Sequence, residues 1–425
     1  MSDGWDADTI VVGAGPAGVG VGVALSHLDL DVLLLERDAV GASLRSWPEE
    51  MRFITPSFPS NGFDLPDLNA IVPETSPAVA VDREHPSGDE YAEHLEALVG
   101  AHGLTVGTGV EVTDVRPIDG ETETDSRRVA VDGGIGASDP DLLVETDNGS
   151  FRTPAVVWAG GQFGTPRTDI CPGSEHGRHN SAVASWDDHL AASGSDEFLV
   201  IGGFESGIDA AVALIERGAS VTVLDRGYPW AFRRPDPSET LSPYTLERLD
   251  TLDADGRLSL IGGVDVERIE RAADGSFEVV ATDLEPGDET PRGSDAPTER
   301  RSDAVDTSSV DSLRRFPVPT RPILATGFEP NLGPVDDAFP RTDGTIDLTD
   351  RDESPTTPGL FLVGPDVTHN GQKFCFIYKY RTRFPVVAET IGERLGVDTD
   401  PLDAYRESNM FLEDLSCCEP TDCRC

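Results

Sequence analysis

The chain has 425 residues, 38% apolar and 26% charged, and its 78 acidic and 33 basic side chains leave a formal charge of −45. That length supports two or three domains with a large core, and the apolar fraction excludes a wholly disordered chain. So negative a surface excludes nucleic acid as a partner and disfavours anionic membranes, because both are bound through Lys and Arg.

Only Lys373 and Lys379 among the basic residues are lysine. Acid excess with so little lysine is the balance associated with cytoplasmic proteins of salt-loading halophiles, where molar salt shortens the Debye length to about 3 Å. The start, Met-Ser-Asp-Gly-Trp-Asp, is acidic, and no apolar run approaches about 20 residues. Neither a signal peptide nor a membrane span is expected, and the expected compartment is the cytoplasm.

In chain order, the first element is an apolar strand from Thr9 running into Gly13-Ala-Gly15-Pro-Ala-Gly18. A small-residue helix to Leu28 and a second strand, Val32 to Glu36, follow. A second such segment runs from Phe198 into Gly202-Gly-Phe204-Glu-Ser206-Gly207, then Ile208 to Arg217, then Ser220 to Asp225. Apolar runs of four or five residues joined by helical spacing predict parallel strands buried on both faces. In each segment the first glycine lies 23 positions before the acidic residue.

The first segment fits the dinucleotide fingerprint. One glycine makes the turn, one admits the pyrophosphate to backbone N–H groups, one allows close helix packing, and the acid accepts from ribose hydroxyls. Gly13, Gly15, Gly18 and Glu36 fill these places. In the second segment Gly202 and Gly207 do so, but Phe204 stands where the middle glycine belongs. Asp225 favours NADH there, whereas Arg226, Arg233 and Arg234 offer a grip for the 2′-phosphate of NADPH, so the preference stays open.

Two polar stretches, roughly 119–141 and 283–311, carry too little apolar surface for core, and the second is expected to be mobile. A return segment, Thr326-Gly327-Phe-Glu-Pro-Asn331, a late strand ending Gly364-Pro-Asp366, and a final helix from between Lys373 and Tyr380 to about Leu395 complete the chain.

With the linker Val156-Val-Trp158-Ala-Gly-Gly-Gln162, these motifs resemble the two-dinucleotide-domain flavoproteins, which include thioredoxin reductase-like enzymes and flavin-containing monooxygenases. The resemblance covers nearly the whole chain and implies an FAD- and NAD(P)H-dependent oxidoreductase. The expected fold is α/β, with two Rossmann-like, three-layer domains, the second inserted in the first. It implies FAD on the first unit (1–195), NAD(P)H on the second (196–322), completion of the FAD domain by 323–408, and a cysteine-rich tail, 409–425. Gly13, Gly15, Gly18, Glu36, Arg37, Arg45, Trp47, Thr55, Gly364 and Asp366 are then the expected FAD contacts, and Gly202, Ser206, Gly207, Asp225 and Arg226 those of NAD(P)H. A small-molecule substrate or a disulfide is the expected partner, and a homodimer one expected assembly.

The electron acceptor is less legible. Disulfide reductases of this superfamily carry a spaced cysteine pair that this chain lacks in mid-sequence. Bacillithiol disulfide reductase-like proteins place a cysteine in the first glycine turn, where this chain has Ala17. The Baeyer–Villiger fingerprint, aligned on Gly177, meets Glu175, Ser181 and Ser185 instead of Phe, His and Trp, so His176 and His179 read as surface-loop residues. Cys417, Cys418, Cys423 and Cys425 crowd the end of the chain as a candidate thiol or soft-metal relay, against the plain alternative of a frayed tail. Lys373, beside Cys375, is a candidate for stabilising an anionic reduced flavin, and Cys375 for lying near its ring. A monooxygenase-like reaction is the first expectation. A disulfide, thiol or soft-metal reductase is the alternative, and a non-enzymatic flavin-binding redox sensor the outside one.

Overall fold

The computed structural model of the protein describes residues 6–59, 65–118, 141–234, 237–284 and 313–418. Most of the two polar stretches, including the expectation of mobility for the second, lies outside the described residues. The chain forms two compact units, one of residues 1–46, 55–164 and 330–425, the other of residues 47–54 and 165–329.

The first unit is built on a parallel sheet in the order Leu360–Leu362, Val156–Trp158, Thr9–Val12, Val32–Glu36, Thr105–Thr108. Its central strand is fully buried, which is why four β-branched or apolar residues run without alternation. The helix Pro16–Ser26 buries every residue from Ala17 to Leu25, so its glycines matter as much as its valines. A Cβ on Gly20 would overlap the Phe384 ring of the helix Phe384–Leu395, so the absent side chain is what lets the two helices meet. Each fully buried large apolar side chain at such a contact contributes about 1.5–3 kcal/mol. An antiparallel meander, Val112–Pro117, Leu142–Thr146 and Gly149–Thr153, follows the third strand of the sheet in sequence.

The second unit repeats the plan. Its parallel sheet has the order Leu258–Ile261, Ser220–Leu224, Glu197–Ile201, Ile323–Leu324, Arg178–His179, and its meander is Val264–Arg271, Phe277–Asp283, Leu313–Val318. Its main stretch, 165–329, starts upstream of the 196 expected from sequence and takes in Arg178–His179, which pairs with Ile323–Leu324 at the sheet edge. That pairing also corrects the reading of His179 as a surface residue. It is buried, its Nε2 lies 3.1 Å from the Gly327 carbonyl, and its ring meets Phe328 edge-on at 5.1 Å.

The expected last helix is three pieces: the helix Ile377–Tyr380, a 3₁₀ turn Arg381–Arg383, and the helix Phe384–Leu395. Pro385 explains the break, since it has no N–H to continue the helical ladder and fits only in a first turn.

Candidate dinucleotide-binding sites

The first glycine turn joins the buried strand Thr9–Val12 to its helix. Gly13 has φ +103°, and a Cβ on it would meet the Ala159 carbonyl oxygen at 2.6 Å. A Cβ on Gly18 would overlap the Gly13 carbonyl oxygen, whereas one on Gly15 would meet nothing within 4 Å. The turn is therefore closed beneath and open in front, where the Gly15 N-cap carries no side-chain cap and the first helical turn holds no carboxylate. Open N–H groups at the positive end of a helix suit a pyrophosphate.

Glu36 braces the turn. Its Oε2 accepts from Ala14 N at 2.7 Å and its Oε1 from Asp38 N at 2.9 Å. Beyond it, Gly109 turns at φ +70° and Val110 N donates to the Glu36 carbonyl at 3.0 Å. These residues fit the adenosine diphosphate half of FAD.

The late strand arrives at the same turn, for a Cβ on Gly364 would sit 3.3 Å from the Ala17 Cβ. Two residues on, burial pushes the Asp366 carboxyl up to about 6, with the charge of Lys373 acting the other way. Lys373 is exposed in the hairpin Thr368–His369 with Gln372–Lys373, and its carbonyl accepts from Lys379 Nζ at 3.3 Å. Cys375, half-buried and in no disulfide, comes two residues later.

The other candidates have neighbours of their own. The Arg37 side chain is about half exposed, 3.5 Å from Asp38, and Arg45 reaches back to Glu96 at 2.8 Å. The Thr55 carbonyl accepts from Asn69 Nδ2 at 2.8 Å. Trp47 belongs to the second unit, where its ring packs 5.1 Å from Phe53.

The second turn copies the first. Gly202 has φ +99°, a Cβ on Gly207 would overlap the Gly202 carbonyl oxygen, and Asp225 accepts from Gly203 N at 2.6 Å and Gly227 N at 2.7 Å. Gly263 turns at φ +70° and Val264 N donates to the Asp225 carbonyl at 3.1 Å. Phe204 is the N-cap of the helix Glu205–Glu216, and its side chain stands partly exposed, so the ring does not fill the turn. Ser206 lies in the first turn of that helix.

Next to it, burial raises the carboxyl of Glu205 even though Thr245 and Ser242 donate to it. That clasp and Trp230, whose ring occupies the space a Gly203 side chain would take, hold the segment after Asp225 against the helix. The chain thus fits a second dinucleotide on this unit.

Sequence reading missed two features. One is the Gly-Val pair after the third strand of each sheet, although Gly109-Val-Glu-Val112 and Gly263-Val-Asp-Val266 are visibly alike. The other is a buried ionic cluster in the first unit, for which no local signal exists. Asp352, fully buried at φ +62°, accepts from Arg383 Nε at 2.9 Å and lies 2.5 Å from His369 Nε2. Arg383 also donates to the carbonyls of Asp350 and Leu412, and Asn370 Nδ2 to that of Leu415, which pins the C-terminal segment there. Cys417 and Cys418 end a 3₁₀ turn, Leu415–Cys418, while Cys423 and Cys425 lie outside the described residues. Among the described residues no cluster suited to a metal ion is present, and no helix is long and apolar enough to cross a membrane.

A family model described as pyridine nucleotide-disulphide oxidoreductase matches residues 10–131 and 134–286. The bacilliredoxin reductase Bdr of Bacillus subtilis is 23% identical over 260 residues, 61% of this chain and 67% of that protein. The solved bacillithiol disulfide reductase Bdr from Staphylococcus aureus aligns over 91% of this chain and 98% of its own, with TM-score 0.62 and 16% identity. A Kutzneria ornithine N-hydroxylase, solved with reduced FAD, NADP⁺ and L-ornithine, aligns over 92% of this chain and 99% of its own, with the same TM-score and identity. At such identities these structures share the fold alone, the two-domain FAD/NAD(P) Rossmann type. With the family model covering more than half its length, and both dinucleotide turns in place, the chain belongs to the pyridine nucleotide-disulphide oxidoreductase family of FAD- and NAD(P)H-dependent enzymes.

Proposed function

We propose that this oxidoreductase is monooxygenase-like: NAD(P)H, oxygen, a proton and an organic substrate are converted to NAD(P)⁺, water and an oxygenated product. The observation that carries the reading is Ala17, which faces Gly364 at the turn where bacillithiol disulfide reductase-like proteins place their cysteine. Cys171 and Cys375, neither of them in a disulfide, fall in different units. A disulfide acceptor would need a thiol that this turn does not offer.

When bound, FAD supplies a ring that takes hydride from the coenzyme and passes on two electrons. The chain's own part is to hold and tune. Backbone N–H groups from Gly15 onward bind the pyrophosphate, Glu36 orients the ribose, and Gly364 lets the late strand close against Ala17. Lys373 supplies positive charge beside the buried Asp366 carboxyl, which supports a role in stabilising negative charge on that side of the turn.

The test is anaerobic bleaching of the yellow protein by NAD(P)H, followed by ¹⁸O₂ with a panel of amines, thioethers and ketones. Label in an organic product is the expected result, and reoxidation yielding only hydrogen peroxide across the panel would overturn the reading.

A second reading, reduction of a disulfide or soft metal through Cys417 and Cys418, draws support from the Asn370–Leu415 hydrogen bond at 3.1 Å. That bond roots the tail beside the hairpin that carries Lys373. Removal of residues 417–425 separates the two, since only the relay depends on them.

A further inference from the structure

We propose that the coenzyme is NADH and that Asp225 is the residue that makes it so. This rests on the family's use of a nicotinamide coenzyme, whichever acceptor the flavin serves. The second unit reproduces the adenosine half-site of the first one residue at a time. Gly202 N donates to Leu224 O at 2.8 Å as Gly13 N does to Leu35 O at 2.8 Å, and Ala325 N donates to Ile201 O as Ala159 N does to Val12 O, each at 2.8 Å. Asp225 is held between Gly203 N and Gly227 N as Glu36 is held between Ala14 N and Asp38 N. Gly263-Val264 follows with the same +70° turn and the same bond back to the acidic residue as Gly109-Val110.

The first of these half-sites serves FAD, whose adenosine ribose bears no 2′-phosphate. A copy built to the same backbone pattern is built for the same group, a ribose offering two hydroxyls to a carboxylate. Two backbone donors fix the Asp225 carboxylate, so it cannot swing aside to admit a dianion.

The arginines that sequence alone offers to a 2′-phosphate have acceptors of their own. Arg226 lies 3.4 Å from Asp265, Arg234 lies 3.6 Å from Glu239, and Arg233 donates to the Phe232 carbonyl at 3.0 Å. A phosphate placed there would meet the carboxylates of Asp225 and Asp265 as well as the guanidinium of Arg226, and like-charge juxtaposition is the usual device for rejecting a wrong partner.

Binding of 5′-ADP and of 2′,5′-ADP to the FAD-loaded protein, measured by calorimetry, tests this without turnover. Anaerobic flavin bleaching by NADH and by NADPH is followed in parallel. The unphosphorylated ligand is expected to bind at least about tenfold tighter and NADH to bleach at correspondingly lower concentration. Asp225→Ser, with FAD content and melting temperature confirming its fold, is expected to narrow both ratios. Equal or tighter binding of 2′,5′-ADP by the unmodified protein would overturn the proposal, as would a ratio unmoved in Asp225→Ser. If neither ligand binds and neither coenzyme bleaches the flavin, the coenzyme assignment to this turn falls with it, an outcome distinct from a preference for NADPH.

Discussion

Two carboxylates in the first unit behave oppositely, and burial is the reason in both cases. Asp352 is buried against the Arg383 guanidinium and the His369 imidazole, which both reach its carboxylate oxygens. Removing it strands the Arg383 guanidinium without water, and breaking a buried pair from one side costs about 3–5 kcal/mol. Asp352→Ala should therefore lower the unfolding free energy by that much, seen as a lower denaturant midpoint with the slope unchanged, and a smaller loss would mean the cluster is not shielded from water. Asp366 has only Lys373 to offset its burial, and its carboxyl rises to about 6. The folded state thus binds this proton more tightly than the unfolded chain does. The resulting stability is full below about pH 4 and is lost as the pH climbs through about 6. Asp366→Asn is expected to be more stable than the parent protein at pH 7 and no more stable near pH 4. Lys373→Ala should move the Asp366 titration, followed by carboxyl NMR, further upward.

At the scale of elements, the three glycines of the first turn do different work, and substitution separates them. Gly18 lets the helix pass close over the Gly13 carbonyl, so Gly18→Ala forces helix and strand apart. Overpacking of this kind costs about 1–3 kcal/mol, and a lowered melting temperature of the flavin-free protein is the expected reading. Gly15, at φ −81° with open space before it, accepts alanine without strain. Gly15→Ala should leave flavin-free stability within about 0.5 kcal/mol while weakening FAD retention on dilution. Equal flavin retention by Gly15→Ala would remove the pyrophosphate from that face. The same logic separates Gly207 from Phe204 in the second turn, where the exposed ring replaces the glycine that would stand nearest a phosphate.

Across the whole molecule, the acidic excess acts as a field rather than as a site. Arginine-to-carboxylate pairs dot both units, for example Arg116–Glu145 and Arg315–Glu278, yet exposed pairs of this sort contribute little individually. What the surface needs is screening of its net charge. Raising potassium chloride from about 0.1 M to about 1 M shortens the Debye length from about 10 Å to about 3 Å. The melting temperature should rise over that range, and sodium chloride should do the same, because ionic strength and not a bound ion is the cause. A rise produced by potassium alone would point instead to specific sites.

The paired strand–turn–helix segments and the equal spacing to Glu36 and Asp225 are legible along the chain, because these signals are local. An apolar run, a glycine and an acidic residue at fixed distance are all read along one stretch of chain. The sequence also placed the late strand and the end of the final helix to within a few residues, but not the break at Arg381–Arg383. Which distant residues share a place is visible in the fold alone. It brought Gly364 against Ala17, took Trp47 into the second unit, buried His179 at a sheet edge, and joined Asp352, His369 and Arg383 into one ionic cluster. Such contacts depend on which strands become neighbours in a sheet and which side chains lose their water, and neither is written in any single segment.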